Sequence, residues 1–156
     1  MNVFHHSQPA ALDVRRARAL EWALRVPGAL SLLAVGAVHL RQYDALYSTI
    51  PTIGTLFVLN LAGATAIGLG LLLPVERLFG RLGGALPALL ALGGIGLAAT
   101  AFMFLFVSER TPLFGFMEPG YNATAILASR VAEVFTVAFL TGFLAVSAAW
   151  RAGHRG

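Results

Sequence analysis

The stretch Ile53–Leu73 reads IGTLFVLNLAGATAIGLGLLL, with no charged side chain and with Asn60 as its strongly polar group. About 20 apolar residues in a helix cross the ~30 Å hydrocarbon layer of a bilayer, so this run reads as a transmembrane helix. Three more runs flank it. Gly83–Val107 is also uncharged and has Pro87 near its start. Trp22–Tyr43 precedes it, with an apolar heart at Val26–Leu40. Ala123–Trp150 follows and carries Arg130 and Glu133. The links Arg41–Thr52, Pro74–Leu82 and Ser108–Asn122 are short, which makes consecutive spans antiparallel neighbours. Composition agrees. Of 156 residues 58% are hydrophobic and 12% charged, with a mean hydropathy of +0.78. Soluble domains hold about 45–50% apolar and about 25% charged residues, so both a soluble globule and a disordered chain are excluded.

The expectation is an all-α, four-transmembrane-helix antiparallel bundle. Its spans are 22–43, 53–73, 83–107 and 124–150, within one domain of residues 22–150. A cytoplasmic tail and short amphipathic helix occupy residues 1–21, and a cytoplasmic tail occupies 151–156. The segment Pro9–Arg25 sets Leu12, Ala19, Leu20, Ala23 and Leu24 among arginines and acids, a pattern that suits the inner membrane surface. Pro27 is tolerable in the first turn of a helix. A secretory signal peptide competes for the first run, but the long polar leader favours an uncleaved span. His5 and His6 read as tail. Repeats of small residues (Ala62, Ala66 and Gly70; Gly94 and Ala98; Ala138 and Gly142) suit close helix packing in lipid.

All eleven basic residues are arginines, and the net charge is +4. They sit at the ends of apolar runs, a pattern of membrane topology that indicates no nucleic-acid partner. Eight lie before span one, between spans two and three, or after span four; Arg41 and Arg110 lie in the other two connections. The positive-inside rule therefore predicts a multi-pass inner-membrane protein with both termini cytoplasmic. With no cysteine, disulfides and thiolate chemistry are ruled out.

Polar groups inside a bilayer are costly and call for a reason. At about 1.5 Å per residue, Asn60 lies about 10 Å below the outer boundary, His39 about 9 Å and Glu133 about 5 Å. Three helices thus place polar groups in the same outer third. His39 and Tyr43 share a face at spacing four, as do Arg130 and Glu133 at spacing three. If these faces point inward, His39, Tyr43, Asn60, Glu133 and Arg130 line one outer-side pocket for a small ligand, lipid or ion. The bland alternative makes Arg130 and Glu133 an ion pair, Asn60 interhelical glue, and His39 and Tyr43 interfacial rings. A bis-histidine haem lacks its second buried histidine. Metal-ligand spacings such as HxxxH are missing, so no metal site is indicated and no cofactor can be named. A proton path through the inner half has no polar continuation.

The connection SERTPLFGFMEPGYN, Ser108–Asn122, is too apolar at Leu113–Phe116 for a solvated loop. It is expected to fold back as a lid, with Glu118, Phe114 and Phe116 at the pocket rim. Asn122 reads as the cap of the fourth helix. His39-Leu40 with Tyr43, the run IGTLFVLN at Ile53–Asn60, LFGF at Leu113–Phe116 and Glu133 together give a resemblance spanning nearly the whole chain. On these motifs the chain resembles a group of small four-helix integral membrane proteins of high-GC, actinobacteria-like bacteria. The resemblance implies the fold and carries no activity with it. The functional expectation is a non-enzymatic membrane protein with a ligand pocket. The alternatives are an accessory subunit of a larger membrane complex or homo-oligomer, and a membrane enzyme using Glu133 and His39 as acid and base.

Overall fold

The computed structural model describes residues 8–78 and 80–153; His5 and His6 lie outside them. Four long helices make the bundle: α1 (Gln8–Ala45), α2 (Pro51–Leu72), α5 (Leu86–Ser108) and α6 (Ala123–Gly153). A single 3-10 turn, Tyr47–Thr49, joins α1 to α2, and the short helices α3 (Val75–Leu78) and α4 (Gly80–Gly83) join α2 to α5. No strand occurs among the described residues, only an isolated bridge between Leu113 and Phe116. The order around the bundle is α1, α2, α5, α6, closed by α6 on α1. All four helices are long and apolar enough to span a membrane, yet only 17% to 33% of each one's most apolar window is buried. Their apolar surface faces outward, the reverse of a soluble bundle, and its environment is the lipid bilayer. This is a multi-pass membrane protein.

Helix α1 departs from expectation. The leader from Pro9 to Arg25 continues into the first span as one helix, with no separate surface segment. Pro27 therefore lies inside α1, not in its first turn. Its missing N–H leaves the Ala23 carbonyl without its usual donor. Packing of the neighbouring residues holds the helix through this point, since Arg25, Gly28 and Ala29 are all buried.

The end where α1 begins is firmly packed. Arg25, 3% exposed, donates from Nε to the Leu71 carbonyl at 2.6 Å and from Nη2 to the Leu73 carbonyl at 2.8 Å. It thus caps the last turn of α2, where helix carbonyls lack partners and the dipole favours a cation. Ser147 of α6 donates to Glu21 at 2.7 Å. Fully buried Leu140 of α6 fits between glycines of two other helices. A methyl on Gly28 would stand 2.6 Å from Leu140 Cδ2, and one on Gly94 would stand 2.9 Å from Leu140 Cδ1. Of the predicted small-residue repeats, Gly94 and Ala98 are buried at a helix interface, while Ala62, Ala66 and Ala138 face outward. The α2 interface instead follows Ala64, Gly68 and Leu71, offset by two residues.

Candidate functional site

The other half of the bundle is hollow. Along α5 the residues bordering this half are Gly93, Gly96, Leu97, Thr100 and Ala101, and nothing stands within 4 Å of where a Gly96 side chain would begin. These small residues leave a cavity of about 410 Å³ between the four long helices, within the range of small-molecule sites. Ile53, Leu56 and Phe57 of α2, Phe104 of α5 and Ile126 of α6 form apolar walls. His39, Asn60 and Glu133, expected from their depths to share a pocket, all line this cavity.

The polar groups divide into those with partners and those without. Glu133 is 1% exposed; its Oε1 accepts from Ser129 at 2.8 Å, and its Oε2 has no hydrogen-bond partner. Buried Asn60 Oδ1 also has none. The His39 ring nitrogen Nδ1 lies 2.9 Å from the Val35 carbonyl. A carbonyl only accepts, so Nδ1 carries a proton and donates it to Val35. Among the described residues, no three His, Asp or Glu side chains stand together as metal ligands would.

An aromatic row closes one side. His39 packs on Phe57 with centroids 4.8 Å apart, Phe57 stacks on Tyr47 at 4.6 Å, and Tyr47 meets the edge of Phe116 at 5.6 Å. The expected lid is a tight turn in which Leu113 and Phe116 exchange backbone bonds of 2.7 and 3.0 Å. Phe114 and Gly115 at its tip have φ of 51° and 81°, both in the left-handed region that a type I′ turn requires. Glycine adopts that region freely and phenylalanine does not. The turn points Leu113 and Phe116 into the cavity, while Phe114 is exposed against Phe104, 6.1 Å away. Phe114 is therefore no part of the rim.

Glu118 is buried and lines the cavity, but its oxygens are occupied. One accepts from the Tyr47 hydroxyl, and the other from the backbone N–H groups of Gly120 at 2.9 Å and Tyr121 at 3.2 Å. Burial pushes the Tyr47 phenol well above its ordinary range, and the hydrogen bond and charge of Glu118 push it further. Asn122 caps α6 as expected, accepting from the Ala125 N–H at 3.0 Å.

Two expected pocket residues lie elsewhere. Tyr43 borders a separate small hollow with Ser48, Pro51 and Thr55, because its ring settles over Gly54, which has no side chain to exclude it. Arg130 does not pair with Glu133. Its Nη2 lies 2.5 Å from Glu109 Oε2 at the end of α5, and Arg110 stands 3.8 Å from the same oxygen. Three residues turn a helix by about 300°, so Arg130 faces α5 while Glu133 faces the cavity. Tyr47 and Ser129 escaped the sequence reading. Ser129 was accessible to it, four residues before Glu133 and so on its face; Tyr47, in a turn, carried no periodic signal. Comparison with known protein families, curated proteins and solved structures finds no match for this chain.

Proposed function

We propose that this membrane protein is a non-enzymatic binder that holds one small, largely apolar molecule in the cavity beneath the Leu113–Phe116 turn. The observation that carries this reading is the pair of buried, unpartnered oxygens, Asn60 Oδ1 on α2 and Glu133 Oε2 on α6, bordering the same space. An unsatisfied buried polar atom costs about 1–3 kcal/mol, and a ligand that hydrogen-bonds both oxygens offsets that cost. In the same reading the chain lies in a bacterial inner membrane with both termini cytoplasmic, as the arginine distribution favours, and the cavity opens in its outer half.

The test is mass spectrometry of everything bound to protein purified from its native membrane in mild detergent. Wild type should carry a small molecule near one per chain, and Glu133→Leu and Asn60→Leu should lose it while keeping wild-type helicity. Equal retention by all three proteins would defeat the proposal. A co-purifying protein with no small molecule would favour an accessory subunit instead.

A further inference from the structure

We infer that the occupant comes from the bilayer, bears a hydrogen-bond donor (a hydroxyl or an ammonium) on an apolar body, and enters sideways between α2 and α5. This rests on the binding function proposed above and adds the ligand's chemistry and route.

The donor follows from what the cavity has left to offer. Of the lining hydroxyls, those of Tyr47, Ser108 and Ser129 are already spent, on Glu118, on the Leu105 carbonyl and on Glu133. The buried atoms left without a partner in the site are both oxygens, Glu133 Oε2 and Asn60 Oδ1, placed to accept. A headgroup that only accepts would face like atoms, and both sides would stay unsatisfied. A hydroxyl or ammonium satisfies them. The apolar body follows from the walls, and the volume is far larger than one ion needs.

The route follows from which sides are covered. At the loop end, Leu113 and Phe116 cover the cavity, held by the Tyr47–Glu118 bond and by the Glu118 N–H on the Ser108 carbonyl at 2.8 Å. On the side toward Gly63, α2 and α5 pack tightly, since a methyl there would stand 2.9 Å from Leu97 Cδ1. Between these limits the lining residues are exposed: Leu59 at 60%, with Gly96 and Thr100 on the facing helix. That gap faces outward, where lipid lies.

Photolabelling in phosphatidylcholine vesicles tests both parts, using diazirine-bearing octan-1-ol, octylamine, octan-2-one and octane at equal membrane concentration. The alcohol and the amine should label cavity residues such as Leu56, Phe104 and Ile126 saturably, about tenfold more than octane or the ketone. That ratio corresponds to one hydrogen bond of about 1.4 kcal/mol. Labelling of lipid-facing Val134 and Phe135 should not saturate. Glu133→Leu should bring the alcohol down to the level of octane. Glu133→Gln, which keeps the shape and gains a donor, should raise the ketone. Gly96→Phe, which fills the gap, should slow cavity labelling without changing that of Val134. If the ketone or octane labels the cavity as well as the alcohol does, the donor inference falls and the binding function stands. Unchanged kinetics in Gly96→Phe would overturn the lateral route. If no probe labels the cavity saturably, the proposed function itself fails.

Discussion

Replacing Glu133 by leucine should make the empty protein more stable, an unusual outcome for a buried residue. Glu133 is 1% exposed and keeps one oxygen without a partner, a defect worth about 1–3 kcal/mol. Leucine has similar volume, so it opens no large void, and it removes the defect. The opposing term is Ser129, whose hydroxyl loses its acceptor at 2.8 Å. A helical serine can turn to the carbonyl four residues back, which limits that loss to under about 1 kcal/mol. The net expectation is a gain of about 1–2 kcal/mol, or roughly 5–30-fold in the folded-to-unfolded ratio. Dodecyl sulfate titration in mixed micelles, after exhaustive delipidation and followed by far-ultraviolet circular dichroism, measures it. Glu133→Gln is the control: it retains a polar head and should gain nothing. A loss above about 1 kcal/mol in Glu133→Leu would mean that the carboxylate has a stabilising partner, and the reasoning would be wrong. A stabilising change that also abolishes binding is the mark of a residue kept for function at the expense of the fold.

Arg25→Met should destabilise by about 3 kcal/mol in the same titration, because two charge-assisted bonds to the end of α2 disappear; Arg25→Lys should recover only part, one ammonium being unable to copy the forked geometry. Gly28→Ala should cost about 1–3 kcal/mol through its clash with Leu140, and Leu140→Ala in that background should cost clearly less than in wild type; strict additivity would show that the two do not touch. With its phenol raised in the folded state, first by burial and then by Glu118, Tyr47 should leave the 109–122 connection fully held below about pH 10 and progressively released above it. Protease cleavage of that connection between pH 8 and 11.5 should show the rise in wild type and none of this dependence in Tyr47→Phe. Reporter fusions after residues 81 and 156 should read cytoplasmic and one near Glu118 external; an external signal from the last residue would contradict the arginine-based orientation.

The spans were legible because backbone hydrogen bonding fixes the rise of a helix and lipid removes charge from its length. The same regularity allowed Asn60, His39 and Glu133 to be ranked by depth from residue counts alone. Azimuth was harder to read. Spacing three puts Arg130 and Glu133 on one broad face, yet a 60° difference sends one to Glu109 and the other into the cavity. That choice depends on a carboxylate twenty-one residues away from Arg130 on another helix, which no local pattern reveals. Tyr43 and Tyr47 show the same limit. The tyrosine in the helical repeat drew notice, and the one in the turn holds the lid. Pro27 was expected at a helix start because proline ordinarily ends helices, but packing against α6 carries α1 through it.

The Arg25 clasp bears on how the chain is assembled. Its acceptors lie 46 and 48 residues further along, and at roughly 5–20 residues per second they are synthesised several seconds after the arginine. Until α2 has been made and turned back, neither carbonyl exists for Arg25 to bond. Closing the clasp therefore reports that the first helical hairpin is complete. A chain stalled or truncated before Leu71 leaves without these acceptors a cation that the finished protein buries.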